Sequence, residues 1–263
     1  MTVPDKIPER ISNPFAIHSL NTVGYKVSPP IPPRAFRAWS FFYLVSGEVL
    51  EESEGEPHLV KGHEFLLLSP GIPFSIKYYR DSIGYMGGFE EGILTGTGYK
   101  ILQKTGTQHI KIGPEDMVLV DESFSMLLRR ASDPVLAGSG LDLLLRLLER
   151  EIHTEKQDNS LSGEFLRRVF SLGKPSWNVS EYAEALGVTP DHLTRSVREY
   201  TGRPASDWIA TARVSKAKDL LRRKEIPIID IASAVGIPDQ SYFSRFFKKI
   251  TGQTPSDFRK SLG

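Results

Sequence analysis

Apolar residues are spaced in a strand-like way over the first hundred or so residues of this chain and in a helical way after about Glu115. Trp39-Ser-Phe-Phe-Tyr-Leu-Val45 is a dense apolar run closed by a turn at Ser46-Gly47, and a second strand follows from Glu48 to Glu52. Glu54-Gly-Glu-Pro57 marks another turn, Phe65-Leu-Leu-Leu68 leads into Ser69-Pro-Gly-Ile-Pro73, and Phe74-Ser-Ile-Lys-Tyr-Tyr79 continues as strand. Short strands cut by Gly and Pro at close intervals predict an antiparallel barrel or jelly roll. Pro4, Pro8, Pro14, Pro29, Pro30, Pro32 and Pro33 crowd the segment before Arg34, which reads as an extended arm rather than an element.

Two helices follow, over Glu115–Ala131 and Leu141–Ile152, with Ser132-Asp-Pro134 and Gly138-Ser-Gly140 breaking the chain between them. Leu141, Leu143, Leu144, Leu145, Leu147 and Leu148 cover more than one stripe of the second helix. Such a helix is either sandwiched in a core or turned towards another subunit, and two-fold symmetry favours a homodimer. A polar, aperiodic stretch from His153 to Ser162 is the natural linker. The expected organisation is α+β: an arm over 1–35, a β-domain with two helices over 36–153, a linker over 154–162, and a helical domain over 163–263.

The helical domain contains one pattern written twice. Val179-Ser-Glu-Tyr-Ala-Glu-Ala-Leu-Gly-Val188 reappears as Ile228-Ile-Asp-Ile-Ala-Ser-Ala-Val-Gly-Ile237, and each copy runs through an Arg (Arg195, Arg245) to a Thr-Gly pair, Thr201-Gly202 and Thr251-Gly252. A short helix, a Gly turn and a second helix form a helix-turn-helix, whose second helix enters the major groove of DNA. Glycine meets the turn's need for a left-handed residue, and Ala183 and Ala232 let the helices cross closely. One copy would read as an ordinary helical hairpin; two copies joined by an amphipathic helix over Pro204–Arg223 favour DNA.

Ser180 is expected to cap the first helix of the pair, Thr189 the second, with Pro190 and Asp191 in its first turn. Helical spacing buries Leu193, Val197 and Tyr200, and turns Asp191, Thr194, Arg195 and Arg198 outward. In the second copy Phe243, Phe247 and Ile250 form the buried stripe, and Gln240, Ser241, Ser244 and Arg245 face out, with Lys248 and Lys249 behind them. Arg195 and Arg245 are suited to a bidentate contact with guanine and Gln240 to one with adenine. Arg198, Lys248 and Lys249 are placed for phosphate, which supplies affinity and salt dependence without sequence information. In the joining helix Trp208, Ile209, Ala212, Val214, Ala217, Leu220 and Leu221 form the apolar side, and Arg213, Lys216, Lys218, Arg222 and Arg223 the charged side.

Composition sharpens this reading. The chain has no Cys, so disulfides and thiol catalysis are excluded. Its net charge of +1 is segregated: residues 163–263 hold 17 basic against 11 acidic side chains, leaving 16 against 21 in residues 1–162. A basic half joined to an acidic one suits a protein that touches phosphate with one half only. No apolar stretch is long enough to cross a bilayer, and the expected location is the cytoplasm.

The run Ile231-Ala-Ser-Ala-Val-Gly-Ile-Pro-Asp-Gln-Ser-Tyr-Phe-Ser-Arg-Phe-Phe-Lys-Lys-Ile-Thr-Gly-Gln-Thr-Pro-Ser-Asp-Phe-Arg259 resembles the C-terminal signature of the AraC/XylS transcription regulators. The resemblance covers about Phe165 to Lys260. It implies two helix-turn-helix subdomains bridged by one helix that bind double-stranded promoter DNA to activate or repress transcription, with RNA polymerase as a further candidate partner. It carries the base-reading positions onto Asp191, Thr194 and Arg195, then Gln240, Ser241, Ser244 and Arg245. Pro190-Asp191 departs from the family's bulkier or basic residues, so the first helix would contribute less specificity. Leu44-Val-Ser-Gly47 and Leu68-Ser-Pro-Gly-Ile-Pro-Phe74 resemble turns of the family's cupin-like effector domains, which implies a β-barrel holding a small-molecule effector of unknown identity and helices that dimerise.

An enzymatic cupin is the rival from another class. Metal cupins need clustered His and carboxylate ligands, yet His18, His58, His63, His109, His153 and His192 include no His-x-His, and Phe74 stands where a ligand would be expected. His58 and His63 flank a turn and read as surface residues. Gly96-Thr-Gly98 lacks the third glycine of a nucleotide loop. The expectation is a protein without catalysis, metal or cofactor. A third reading keeps DNA binding but leaves the N-terminal domain with dimerisation alone.

Overall fold

The computed structural model describes residues 14–22, 29–152, 161–170 and 176–262. Most of the expected linker, 153–160, and the arm's residues 1–13 and 23–28 lie outside the described residues. The chain divides into two compact units, one holding the strands apart from Glu56 and Pro57 and the other the C-terminal helices.

Six strands build the first unit: β1 Phe15–Asn21, β2 Trp39–Ser53, β3 Glu56–Lys61, β4 Glu64–Leu68, β5 Phe74–Phe89 and β6 Thr107–Lys111. Their order is β1-β5-β2-β4-β6, with β3 also paired to β2. The β1–β5, β5–β2, β2–β4 and β4–β6 pairings are antiparallel. Trp39 to Leu44 are all buried, which is why this strand reads as an unbroken apolar run rather than an alternation. Trp39, Phe41 and Tyr43 join Phe65, Leu67 and Phe89 on the face that packs against helices.

Three expectations are corrected here. The segment read as an arm carries a strand: the Pro-free run Phe15-Ala-Ile-His-Ser-Leu-Asn21 alternates buried Phe15 and Ile17 with more exposed neighbours and pairs with β5 from Phe15↔Phe89 to Asn21↔Ile83. Ser46-Gly47 is no turn between two strands; β2 runs through it with register shifts at Leu44/Ser46 and Ser46/Glu48. Gly47 has φ +82, and a Cβ there would lie 2.4 Å from the Asp81 carbonyl oxygen, so the glycine permits a bulge where two backbones meet. The sheet is also open rather than a closed barrel, with β1 and β6 as the ends of the pairing order. These end strands have seven and five residues.

Helices α1 Lys100–Gln103, α2 Met117–Arg130 and α3 Pro134–Glu151 complete the first unit. The expected break at Gly138-Ser-Gly140 does not occur, and α3 runs through it from its cap at Asp133, whose carboxylate accepts from the Val135 and Leu136 amides at 3.1 and 3.2 Å. Close packing explains the glycines. A Cβ at Gly138 would stand 2.3 Å from the Ile93 carbonyl oxygen, and one at Gly140 2.6 Å from the end of Met126. Leu141, Leu144, Leu145, Leu147 and Leu148 are buried in the unit's own core and only Leu143 of the six is exposed, so that core absorbs the leucine surplus.

The second unit is helical: α4 Leu161–Phe170, α5 Val179–Ala185, α6 Pro190–Thr201, α7 Ala205–Leu221, α8 Ile228–Ala234, α9 Gln240–Thr251 and α10 Pro255–Ser261. In α7 the first half buries Ala205, Trp208 and Ile209, and the second half buries Val214, Ala217 and Leu221. Those three second-half residues belong to one core with Ile231, Ala232, Val235, Ile237, Phe243, Phe247 and Phe258. No described helix is long and apolar enough to cross a membrane.

Candidate nucleic-acid interface

The duplicated motif folds into two helix pairs that agree down to individual hydrogen bonds. The α5–α6 turn is held by Val188 N–H donating to Ala183 O at 3.0 Å and Gly187 N–H to Glu184 O at 3.0 Å. In the α8–α9 turn Ile237 N–H donates to Ala232 O at 2.9 Å and Gly236 N–H to Ser233 O at 3.0 Å. This paired pattern ends a helix on a left-handed residue, and Gly187 and Gly236 have φ +69 and +74. The cap of α5 is Asn178, not Ser180. Its side chain accepts from the Ser180 and Glu181 amides at 2.8 and 3.1 Å, while Glu181 returns a carboxylate to the Asn178 amide at 2.7 Å. That reciprocal box outcompetes a serine two residues later.

Helices α6 and α9 begin and end alike. Thr189 accepts from the His192 amide at 3.2 Å, and Asp239 from the Tyr242 amide at 2.7 Å. At the far ends Gly202 N–H donates to Arg198 O at 2.8 Å and Gly252 N–H to Lys248 O at 2.9 Å. The preceding threonines lock these ends. Thr201 Oγ1 lies 2.7 Å from Val197 O and accepts from the Arg203 amide; Thr251 Oγ1 lies 2.8 Å from Phe247 O and accepts from the Gln253 amide. The repeat then continues further than the Thr-Gly pair: Ser206-Asp207-Trp208 at the start of α7 matches Ser256-Asp257-Phe258 in α10. Trp208 donates its indole N–H to Thr201 at 2.9 Å, whereas Phe258 meets Phe247 ring to ring at 5.8 Å.

This scaffold presents matching outer faces. Asp191, Arg195 and Arg198 are exposed and Thr194 half-buried on α6; Gln240, Ser241, Arg245, Lys248 and Lys249 are exposed and Ser244 half-buried on α9. Leu193 and Val197 are buried beneath the first face, Phe243 and Phe247 beneath the second. Two expected members of the inner stripes lie elsewhere: Tyr200 is only half-buried and Ile250 is 44% exposed, because both sit in the last turn where the helix leaves its core. Among the described residues Arg195 and Arg245 make no ion pair or hydrogen bond, which leaves both guanidinium forks free for an external acceptor. Ser244 donates its hydroxyl to Gln240 O at 2.8 Å, so an incoming group would find it as an acceptor. His192 and Tyr242, exposed at matching places in the first turns, were not among the expected contacts; the 50-residue offset alone could have singled them out.

One expected charge is misplaced. Lys218 is only 4% exposed, with its ammonium 5.6 Å from the centre of the Phe258 ring, and burial pushes its pKa down to about 8, aided by nearby Arg222. Helical register, which puts it beside Val214 and Leu221, decides its burial.

The first unit has its own polar cluster. His58 is half-buried rather than exposed, and desolvation, with the His109 ring 6.3 Å away, holds its pKa near 4. His63 is half-buried and lies 3.2 Å from the Tyr43 hydroxyl, which donates to Asp121 at 2.5 Å. His109 is paired with Glu64 at 2.9 Å. Glu51 is fully buried on β2, accepts from Ser53 at 3.1 Å, and is raised by burial to about 9. Among the described residues no group of three or more His, Asp or Glu side chains could hold a metal ion.

Residues 182–261 match a family described as a helix-turn-helix domain. The arabinose operon regulatory protein of Escherichia coli K12 is 36% identical over 88 residues, covering 34% of this chain and 30% of that protein. The HTH-type transcriptional regulator YisR of Bacillus subtilis, itself uncharacterized, is 23% identical over 256 residues, covering 86% of this chain and 87% of the relative. Among solved structures, the C-terminal domain of the response regulator AraT from Geobacillus stearothermophilus aligns over 40% of this chain and 88% of its own at 28% identity, with a TM-score of 0.38. The chain spans about a third of the length of the first curated relatives it matches.

Proposed function

We propose, since this chain belongs to the AraC/XylS family of helix-turn-helix regulators, that it binds promoter DNA in a sequence-specific way and regulates transcription there. The observation that carries this reading is the pair of outward faces on α6 and α9, alike in burial at each matched position from 191 to 199 and from 241 to 249. Each exposes an uncommitted arginine one and a half turns into a helix, the geometry that a bidentate contact to guanine uses. Asp191, Thr194 and Arg195 would read bases from α6; Gln240, Ser241, Ser244 and Arg245 would read them from α9. Arg198, Lys248 and Lys249 would hold phosphates. The acidic Asp191 makes the first helix the weaker reader.

The N-terminal unit, 36–153 with β1 added, is read as a cupin-like sensor of a small molecule, and its helices as the surface on which a homodimer forms. A buried ionisable group supports the sensor: Glu51, raised by burial to about 9, is costly to keep inside a protein that needs only a core. Effector and DNA affinities would then be coupled reciprocally. Footprinting the purified protein on upstream DNA of neighbouring genes tests the central claim. A protected stretch with two contacted major-groove segments about one helical turn apart supports it; binding without any preferred sequence sinks it.

A further inference from the structure

The turns of the two helix pairs share one backbone conformation but not one environment. Around Gly187 a Cβ would meet nothing within 4 Å, whereas at Gly236 it would lie 2.4 Å from the Ser176 Cα and 2.8 Å from the Ser176 nitrogen. The second turn therefore sits backbone against backbone on the residue two places before the α5 cap. Ser176 and Trp177 are part of the first pair: the Trp177 ring packs 5.2 Å from Tyr182, and Tyr182 in turn meets Phe165 at 5.6 Å. Arg213, half-buried at the middle of α7, donates from Nη2 to both the Ser176 and Trp177 carbonyls at 3.2 Å.

We propose that this seat, formed by Gly236, Ser176 and Arg213, sets the relative phase of the two recognition helices and so selects the spacing of the DNA segments they read. The inference rests on the DNA-binding reading above and adds positioning residues that contact no base. Helix α7 has 17 residues and spans roughly 26 Å at 1.5 Å per residue. It fixes how far apart the pairs stand, but helices curve and kink, and nothing in a lone spacer opposes that. A backbone contact at its midpoint, tied by a guanidinium, removes this freedom. One inserted base pair moves a half-site about 3.4 Å along the axis and about 35° around it. A braced pair of helices cannot follow such a step, and a loosened pair can.

The probe is a duplex enriched from a random-sequence library by the wild-type full chain, together with derivatives carrying one base pair added or removed between the two contacted segments. Dissociation constants are read by fluorescence anisotropy. The wild type is expected to lose about 30-fold on either derivative, the equivalent of one segment's specific contacts. Arg213→Met and Gly236→Ala are expected to bind the parent duplex more weakly but to lose no more than about 5-fold on the derivatives. Gly187→Ala, equally strained at φ +69 yet with open space, is expected to keep the wild-type spacing penalty. Thermal unfolding shows which variants fold, and Arg213→Met, which leaves both turns intact, carries the test if Gly236→Ala does not. Variants that keep the wild-type penalty overturn this inference alone; a wild-type chain that enriches no sequence overturns the DNA-binding reading and this inference with it.

Discussion

Replacing Lys218 with methionine is expected to stabilise the helical unit, although it removes a positive charge from a basic domain. The ammonium is 4% exposed, and its pKa falls from the ordinary 10.5 to about 8. At 1.36 kcal/mol per tenfold change, that is on the order of 3 kcal/mol against the charged form. Attraction to the Phe258 ring, 5.6 Å away, offsets about 0.5–2 kcal/mol of it. Methionine keeps the long apolar stem without the charge, so the net gain at neutral pH is about 1–2 kcal/mol. The pH dependence fixes the cause. Between about pH 8 and pH 10.5 the unfolded lysine holds a proton that the folded one has released, so the wild type gains stability as pH rises through that window. Lys218→Met lacks this term, and its advantage should be largest below pH 8 and shrink towards pH 10.5. Urea unfolding of both proteins at pH 7 and pH 10, followed by far-UV circular dichroism, measures the difference. A variant less stable than wild type at pH 7, or a gap that does not change with pH, would refute the argument.

Other substitutions separate reading from anchoring and packing from propensity. Arg245→Ala should cost roughly 1–3 kcal/mol of binding to an enriched duplex and relax preference at one base position, seen by competition with single-base variants. Lys248→Ala or Lys249→Ala should weaken all sequences alike and reduce the slope of log affinity against log salt by about 1. Gly138→Ala would gain about 1 kcal/mol of helix propensity yet should still destabilise the first unit by roughly 1–3 kcal/mol in urea unfolding, because the added methyl meets the Ile93 carbonyl.

Local chemistry made the duplicated helices legible in sequence. Gly187 and Gly236 are required by positive φ, Thr189, Asp239 and Thr254 by orphan amides, and Leu193, Val197, Phe243 and Phe247 by helical period; each acts within a few residues of itself. The misreadings fall where a distant partner decides. Gly47 and the Gly138–Gly140 stretch look like breakers until Asp81, Ile93 and Met126 are placed beside them. Phe15 to Asn21 becomes a strand only because β5 is long enough to pair with it. Arg213 and Lys218 carry the same kind of charge on the same helix, and only the folded neighbours separate a brace from a buried liability.

The division of α7 between two cores has a consequence for how the C-terminal unit comes apart. Its first half supplies Trp208 to the threonine latch of α6, and its second half supplies Val214, Ala217 and Leu221 beneath α8 and α9. A cut between Ile209 and Val214 would leave each copy with only half of this 17-residue helix, too short to hold its shape alone, so neither copy can be excised and expected to stand alone. Melting should therefore spread from one copy to the other through a single rod, as one cooperative event rather than two.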